Sequence, residues 1–145
     1  MNTVEQIFEL WHSYAQERNT EGLLSLYAED VVFESPLVPA ILDDARSGVL
    51  HGKKEIERFL SEGTQRRPNE LVKWYRTGEY LTDGRMLVWE YPRETPDGEQ
   101  IDILELMIIE QGLIAQHRIY WGWKGCQHIS GALASSVARI PYKNE

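Results

Sequence analysis

Apolar positions recur at helical intervals over the first part of the chain and at intervals of two over the last, and this change of period sets the reading. Val4, Ile7, Phe8, Trp11, Tyr14 and Ala15 share one helical face, and Thr3 and Gln6 have capping-box spacing, so a first helix is expected up to about Arg18. Thr20 is placed to cap a short second helix whose buried stripe would be Leu23, Leu24 and Tyr27. Asp30-Val31-Val32-Phe33-Glu34-Ser35 reads as a short strand stopped by Pro36. Residues 36–50 have prolines, aspartates and a glycine without a period, and read as a long loop of the kind that serves as a lid or binding element. A third helix is expected from about Lys53 to Gln65, burying Ile56, Phe59 and Leu60.

After Glu70 the period is that of strands. Segments 71–81, 86–91, 101–110 and 113–123 are joined at Asp83-Gly84, Thr95-Pro96-Asp97-Gly98 and Gln111-Gly112, each a turn signal. Three helices followed by an antiparallel meander make an α+β fold with the helices on one face of the sheet. The pattern fades beyond Gly125, where a short helix over 131–139 is the most it suggests. The expected organisation is one domain over 1–125 and a C-terminal tail over 126–145.

Composition narrows the function. A chain of 145 residues can bury a core as a single domain without a metal or disulfide. With 15 Lys and Arg against 23 Asp and Glu, the net charge of −8 offers no positive field for nucleic acid or an anionic membrane. Cys126 stands alone, so no internal disulfide or cysteine metal cluster is expected, in keeping with a reducing cytoplasm. No segment approaches the roughly 18 apolar residues of a membrane span, and the first residues lack the apolar run of a secretion signal. A Gly-rich phosphate loop and a nucleophile elbow are both missing, and His12, His51, His117 and His128 lack metal-ligand spacing with carboxylates. Neither a cofactor nor a metal is expected. What remains is chemistry by side chains in a pocket, or plain binding.

Polar residues in apolar strands are the candidates for either role. Glu105 lies in Ile101-Asp102-Ile103-Leu104-Glu105-Leu106-Met107-Ile108-Ile109, and strand parity puts it beside Ile101, Ile103, Met107 and Ile109. On a buried face desolvation would disfavour its charge and make it a proton donor; otherwise it pairs with an Arg or Lys or lies at a sheet edge. His117 shares a parity with Ala115, Ile119, Trp121 and Trp123, and is either a hydrogen-bonded core residue or a pocket base. Tyr14, on the buried stripe of the first helix, needs a partner for its hydroxyl if covered. Glu90, in Leu87-Val88-Trp89-Glu90-Tyr91, is a weaker version of the Glu105 case, and Asp43 and Asp44 read as solvated loop acids.

Three stretches carry a family resemblance: Leu-Tyr-Ala-Glu-Asp-Val-Val-Phe-Glu-Ser-Pro at 26–36, His-Gly-Lys-Lys-Glu-Ile at 51–56, and Glu-Gln-Gly-Leu-Ile-Ala-Gln-His-Arg-Ile-Tyr-Trp-Gly at 110–122. Over about Val4 to Gly125 the chain resembles the nuclear transport factor 2-like superfamily, in particular its SnoaL-like branch. The resemblance implies a cone in which helices close a curved, mainly antiparallel sheet around an apolar cavity, with dimerisation through the outer face of the sheet. Among ketosteroid isomerases of that superfamily, a tyrosine on the first helix and a protonated acid on a late strand stabilise an oxyanion. Tyr14 and Glu105 are similar in position, with His117 as the available base, so these three are the implied catalytic residues. Trp11, Phe33, Met107, Ile119 and Trp121 would line the cavity, with Ser35 and Glu90 as polar contacts. The sequence departs from the family's enzymes where Ser35, before Pro36, replaces the isomerase aspartate, and where Ile119 and Val88 stand at the acid and arginine positions of epoxide hydrolases. The implied function is a cavity for an apolar, oxygen-bearing small molecule, used for acid/base isomerisation, cyclisation or dehydration. The alternative is a ligand-binding or dimeric interaction module without chemistry.

Overall fold

The computed structural model describes residues 1–66, 79–94 and 100–138. Helix α1 (Val4–Glu17) opens with the expected capping box: Thr3 Oγ1 accepts from the Gln6 N–H at 3.2 Å and Gln6 Oε1 accepts from the Thr3 N–H at 2.9 Å. Its inward face is Val4, Ile7, Phe8 and His12. Helix α2 (Thr20–Ser25) is short and is followed at once by strand β1 (Tyr27–Glu34). The strand therefore begins three residues before the expected Asp30, and Tyr27 belongs to it and not to the helical stripe. The alternation of buried Tyr27, Val31 and Phe33 explains this: on a six-residue helix the tyrosine would have had no second turn to pack with.

The expected 36–50 loop carries two elements, a one-turn helix α3 (Val38–Ile41) and strand β2 (Val49–His51). Pro39, read as a loop marker, instead sits in the first turn of α3, where a missing N–H is tolerated. Helix α4 (Lys53–Arg66) follows. Of the expected 71–81 strand, positions 71–78 lie outside the described residues, as does the 95–98 turn; Leu81–Thr82 form β3. Strands β4 (Met86–Glu94), β5 (Gln100–Glu110) and β6 (Leu113–Trp121) make the meander. The β5–β6 turn uses two left-handed residues, Gln111 at φ 52° and Gly112 at φ 72°, as a tight hairpin requires. Helix α5 (Trp123–Ala138) starts earlier than the pattern suggested, buries Ile129, and packs on β5 and α3. The expected C-terminal tail is thus helical through residue 138.

The six described strands form one curved, unclosed sheet in the order β2-β1-β6-β5-β4-β3. All neighbours are antiparallel except β1 and β6, which run parallel. The β5–β6 register slips so that Ile108 faces Gln116 and Ile109 faces Ile114, leaving Ala115 as a bulge. The bulge reverses parity: Ile114, not Ala115, shares the buried face with His117. The core lies between this inner face and the helices, with Ile7, Phe33, Ile56, Leu87, Ile103, Met107 and Ile114 all fully enclosed. No described helix is long and apolar enough to cross a membrane.

Candidate functional site

Glu105 and His117 meet. They lie on neighbouring strands, two residues apart in register, with Glu105 opposite Ile119 and Met107 opposite His117. Both are 1 % exposed, and His117 Nε2 is hydrogen-bonded to Glu105 Oε2. The other imidazole nitrogen, Nδ1, is 2.8 Å from the hydroxyl of Tyr27, which is also 1 % exposed. Trp11 Nε1–H donates to the same hydroxyl at 3.4 Å. The parallel pairing of β1 with β6 is what brings Tyr27 to His117.

Tyr27 Oη accepts the indole hydrogen of Trp11 and is hydrogen-bonded to His117 Nδ1; with the ring hydrogen on Nε2, the imidazole accepts from Tyr27 and donates to Glu105. Burial pushes the Tyr27 phenol above its ordinary value, partly offset by Trp11 and reinforced by the Glu105 charge, so Tyr27 keeps its proton at neutral pH. The result is a connected chain of hydrogen bonds, Trp11–Tyr27–His117–Glu105. A carboxylate that orients an imidazole and stabilises its protonated form is a unit suited to moving a proton.

The other expected residues divide clearly. Phe33 meets the His117 ring edge-on at 5.1 Å, and Met107 lies beneath it in register, both buried. Ile119 and Trp121 are half-buried on the same face. Tyr14 is not brought to Glu105: its ring lies over α2, where a Cβ on Gly22 would come within 2.7 Å of it. Ser35 is buried, but its hydroxyl accepts from the Leu37 N–H at 3.1 Å and its backbone bonds Gly48 and Val38, so it shapes the turn into α3. Glu90 faces the opposite side of the sheet and is exposed, because its neighbour Trp89 has the parity of Glu105. Of the expected 36–50 lid, the 42–50 part borders a hollow of about 260 Å³ against α4, where Asp44 pairs with Arg58 at 2.6 Å.

Two site residues escaped the sequence reading. Tyr27 reads as part of a helical stripe in the sequence. His12 is 4 % exposed, stands on α1 against the rings of Phe8 and Trp89, and donates from Nδ1 to the Phe8 carbonyl at 2.7 Å. The signal for it was its place one turn after Phe8 on the buried stripe. Burial holds its pKa below the ordinary 6.5, against the Phe8 carbonyl and the Glu105 charge, which pull upward. The unfolded chain therefore takes up this proton more readily than the folded one, and the His12 contribution is lost as pH falls below about 6.5. Urea midpoints at pH 7.5 and 5.5 should show a smaller acid loss for His12→Gln than for the wild type. Among the described residues, the indole nitrogens of Trp89 and Trp121 are buried without hydrogen-bond partners. No described group of three or more His, Cys, Asp or Glu side chains could hold a metal.

The fold and the sequence lead to the same relatives. Residues 4–117 match the model of the SnoaL-like domain, and the chain belongs to that family. Similar solved structures include an NTF2-like protein of unknown function from Cytophaga hutchinsonii, with 14 % identity, TM-score 0.61, and coverage of 88 % of this chain and 96 % of that one. TerC, co-crystallised with polyporic acid, has 17 % identity and TM-score 0.64 over 86 % of this chain and 95 % of its own. A candidate polyketide cyclase from Sinorhizobium meliloti has 18 % identity and TM-score 0.56 over 79 % and 93 %. At these identities the likeness is one of fold. Among curated proteins no sequence match is significant.

Proposed function

We propose that the helix-covered face of the sheet binds an apolar, oxygen-bearing small molecule and that Glu105, positioned by His117 and Tyr27, exchanges a proton with it. The observation that carries this reading is a carboxylate–imidazole–phenol relay wholly enclosed in an apolar interior. Polar groups there are hard to justify on stability alone, since taking them out of water costs free energy that their hydrogen bonds only offset. Proton exchange at a carbon next to a carbonyl is the simplest chemistry such a group performs, and it is the first step of isomerisation, cyclisation or dehydration. Donors for the developing oxyanion would come from N–H and O–H groups on this face. Incubating small ketones with the protein in D₂O and following loss of the α-proton signal tests it. Catalysed exchange is expected; ketones that bind without exchange would favour the second reading.

That second reading is ligand binding without chemistry. It is favoured by Ser35, at the position where the family's isomerases carry a base, being committed to its turn.

The same reading includes a homodimer through the outer face of the sheet. Val88, Leu104, Leu106 and Ile108 are half-buried there, flanked by exposed Val32, Met86 and Tyr120, an apolar patch of the kind that marks an interface. Light scattering is expected to give twice the 16.8 kDa chain mass, and Leu106→Asp is expected to give the single mass.

A further inference from the structure

Trp89 is 2 % exposed, and its indole N–H has no hydrogen-bond partner among the described residues. Buried polar groups are nearly always paired, so this exception points to a partner that arrives from outside. The indole N–H only donates, so that partner is an acceptor. Trp89 faces Glu105 directly across the β4–β5 ladder. Its ring lies 5.4 Å from Phe8, 5.4 Å from Trp11 and 5.3 Å from His12, and Phe8 meets Tyr80 at 4.6 Å. A group entering here would touch ring faces and edges on most sides, which favours a flat unsaturated molecule. Trp11 and Tyr80 are only half-buried, so the edge of this cluster reaches solvent.

We infer that the Trp89 indole N–H is the recognition donor for a ligand carbonyl, and that the ligand is a flat ring ketone that enters from the solvent-facing edge of the cluster at Trp11 and Tyr80. A carbonyl oxygen suits the donor better than a hydroxyl, which would bring a proton needing an acceptor of its own. The inference rests on the proposed function and adds the chemical class of ligand and the residue that selects it. Trp89 and Glu105 are paired residues on the same inner face of the β4–β5 ladder, so the ligand's carbonyl end would lie on the side of the sheet that carries the acid.

The test uses 1-tetralone and tetralin, which share a fused ring skeleton and differ in the carbonyl. In ¹⁵N-labelled protein the five tryptophans give separate indole signals, and Trp89→Phe identifies the one from Trp89. Tetralone is expected to move that indole proton downfield, while tetralin perturbs nearby methyl signals without doing so. Trp89→Phe should weaken tetralone about tenfold and leave tetralin within about twofold. Tetralone that perturbs the Met107 and Ile119 methyls but leaves the Trp89 indole unmoved overturns this inference and spares the proposed function. Equal weakening of both probes in Trp89→Phe gives the ring a packing role only and also overturns it. If neither probe perturbs any inner-face signal, both readings fall. In the wild type the Trp89 indole signal is also assigned from its nuclear Overhauser contacts to the Phe8 and His12 rings, so a poorly folded Trp89→Phe does not blunt the test.

Discussion

His117→Ala is expected to lower the unfolding free energy by about 3–5 kcal/mol, because it removes one member of an enclosed pair and leaves the other behind. Three effects add. The Glu105 carboxylate, 1 % exposed, loses the imidazole that it accepts from. The Tyr27 hydroxyl, held at 2.8 Å, loses its acceptor in a region with no solvent to replace it. The vacated volume lies against Phe33 and Met107, which are buried and can close over it only partly. Urea titration with the midpoint and slope both fitted measures the loss. The double variant Glu105→Gln/His117→Ala should lose less than the sum of the two single changes, since the two side chains are hydrogen-bonded to each other. A loss below about 1 kcal/mol for His117→Ala would mean that His117 does not hold Glu105 in solution.

The second large effect concerns turnover. Glu105→Gln keeps the shape of the side chain and its ability to meet His117, but the amide cannot gain or lose a proton. Exchange of the α-protons of an accepted ketone is therefore expected to slow by about 10²–10⁴, with the ketone's affinity unchanged within about threefold. Exchange rates in D₂O and a binding titration on the same samples separate the two quantities. Exchange as fast as in the wild type would take Glu105 out of proton transfer while leaving its structural place intact. Loss of binding in parallel with exchange would instead make it a contact that holds the ligand.

The parts of this site that the sequence disclosed are those governed by short-range period. Alternation along 101–110 gave the inward parity of Glu105, and alternation along 113–121 gave that of His117. Their meeting was not legible, because it depends on the register between two strands, which the hairpin turn at Gln111-Gly112 sets and the Ala115 bulge modifies. Tyr27 was concealed differently. Its neighbours Leu23 and Leu24 make it look like the third member of a helical stripe, and only the early end of α2 at Ser25 turns it into the first residue of a strand. Its partner lies 90 residues away in sequence, a distance over which local pattern carries no information. Tyr14 illustrates the reverse error: it has the right helix and a buried stripe, but its turn of α1 faces α2. Glu90 failed on parity alone, one residue from Trp89, which has the inward place.

The parallel contact between β1 and β6 has a consequence for the time course of folding. The hairpin of β5 and β6 and the short pairing of β1 with β2 join segments close in sequence and can form early, whereas β1 must wait for a strand that follows nearly the whole described fold. Until that strand arrives, Tyr27 has no imidazole to donate to and one edge of β1 is open to foreign pairing. The proton relay is thus assembled by the longest-range strand pairing among the described residues. A refolding experiment that watches Tyr27 would report the closing of the sheet itself, and any change that weakens β1–β6 pairing would disarm the site before it unfolded the protein.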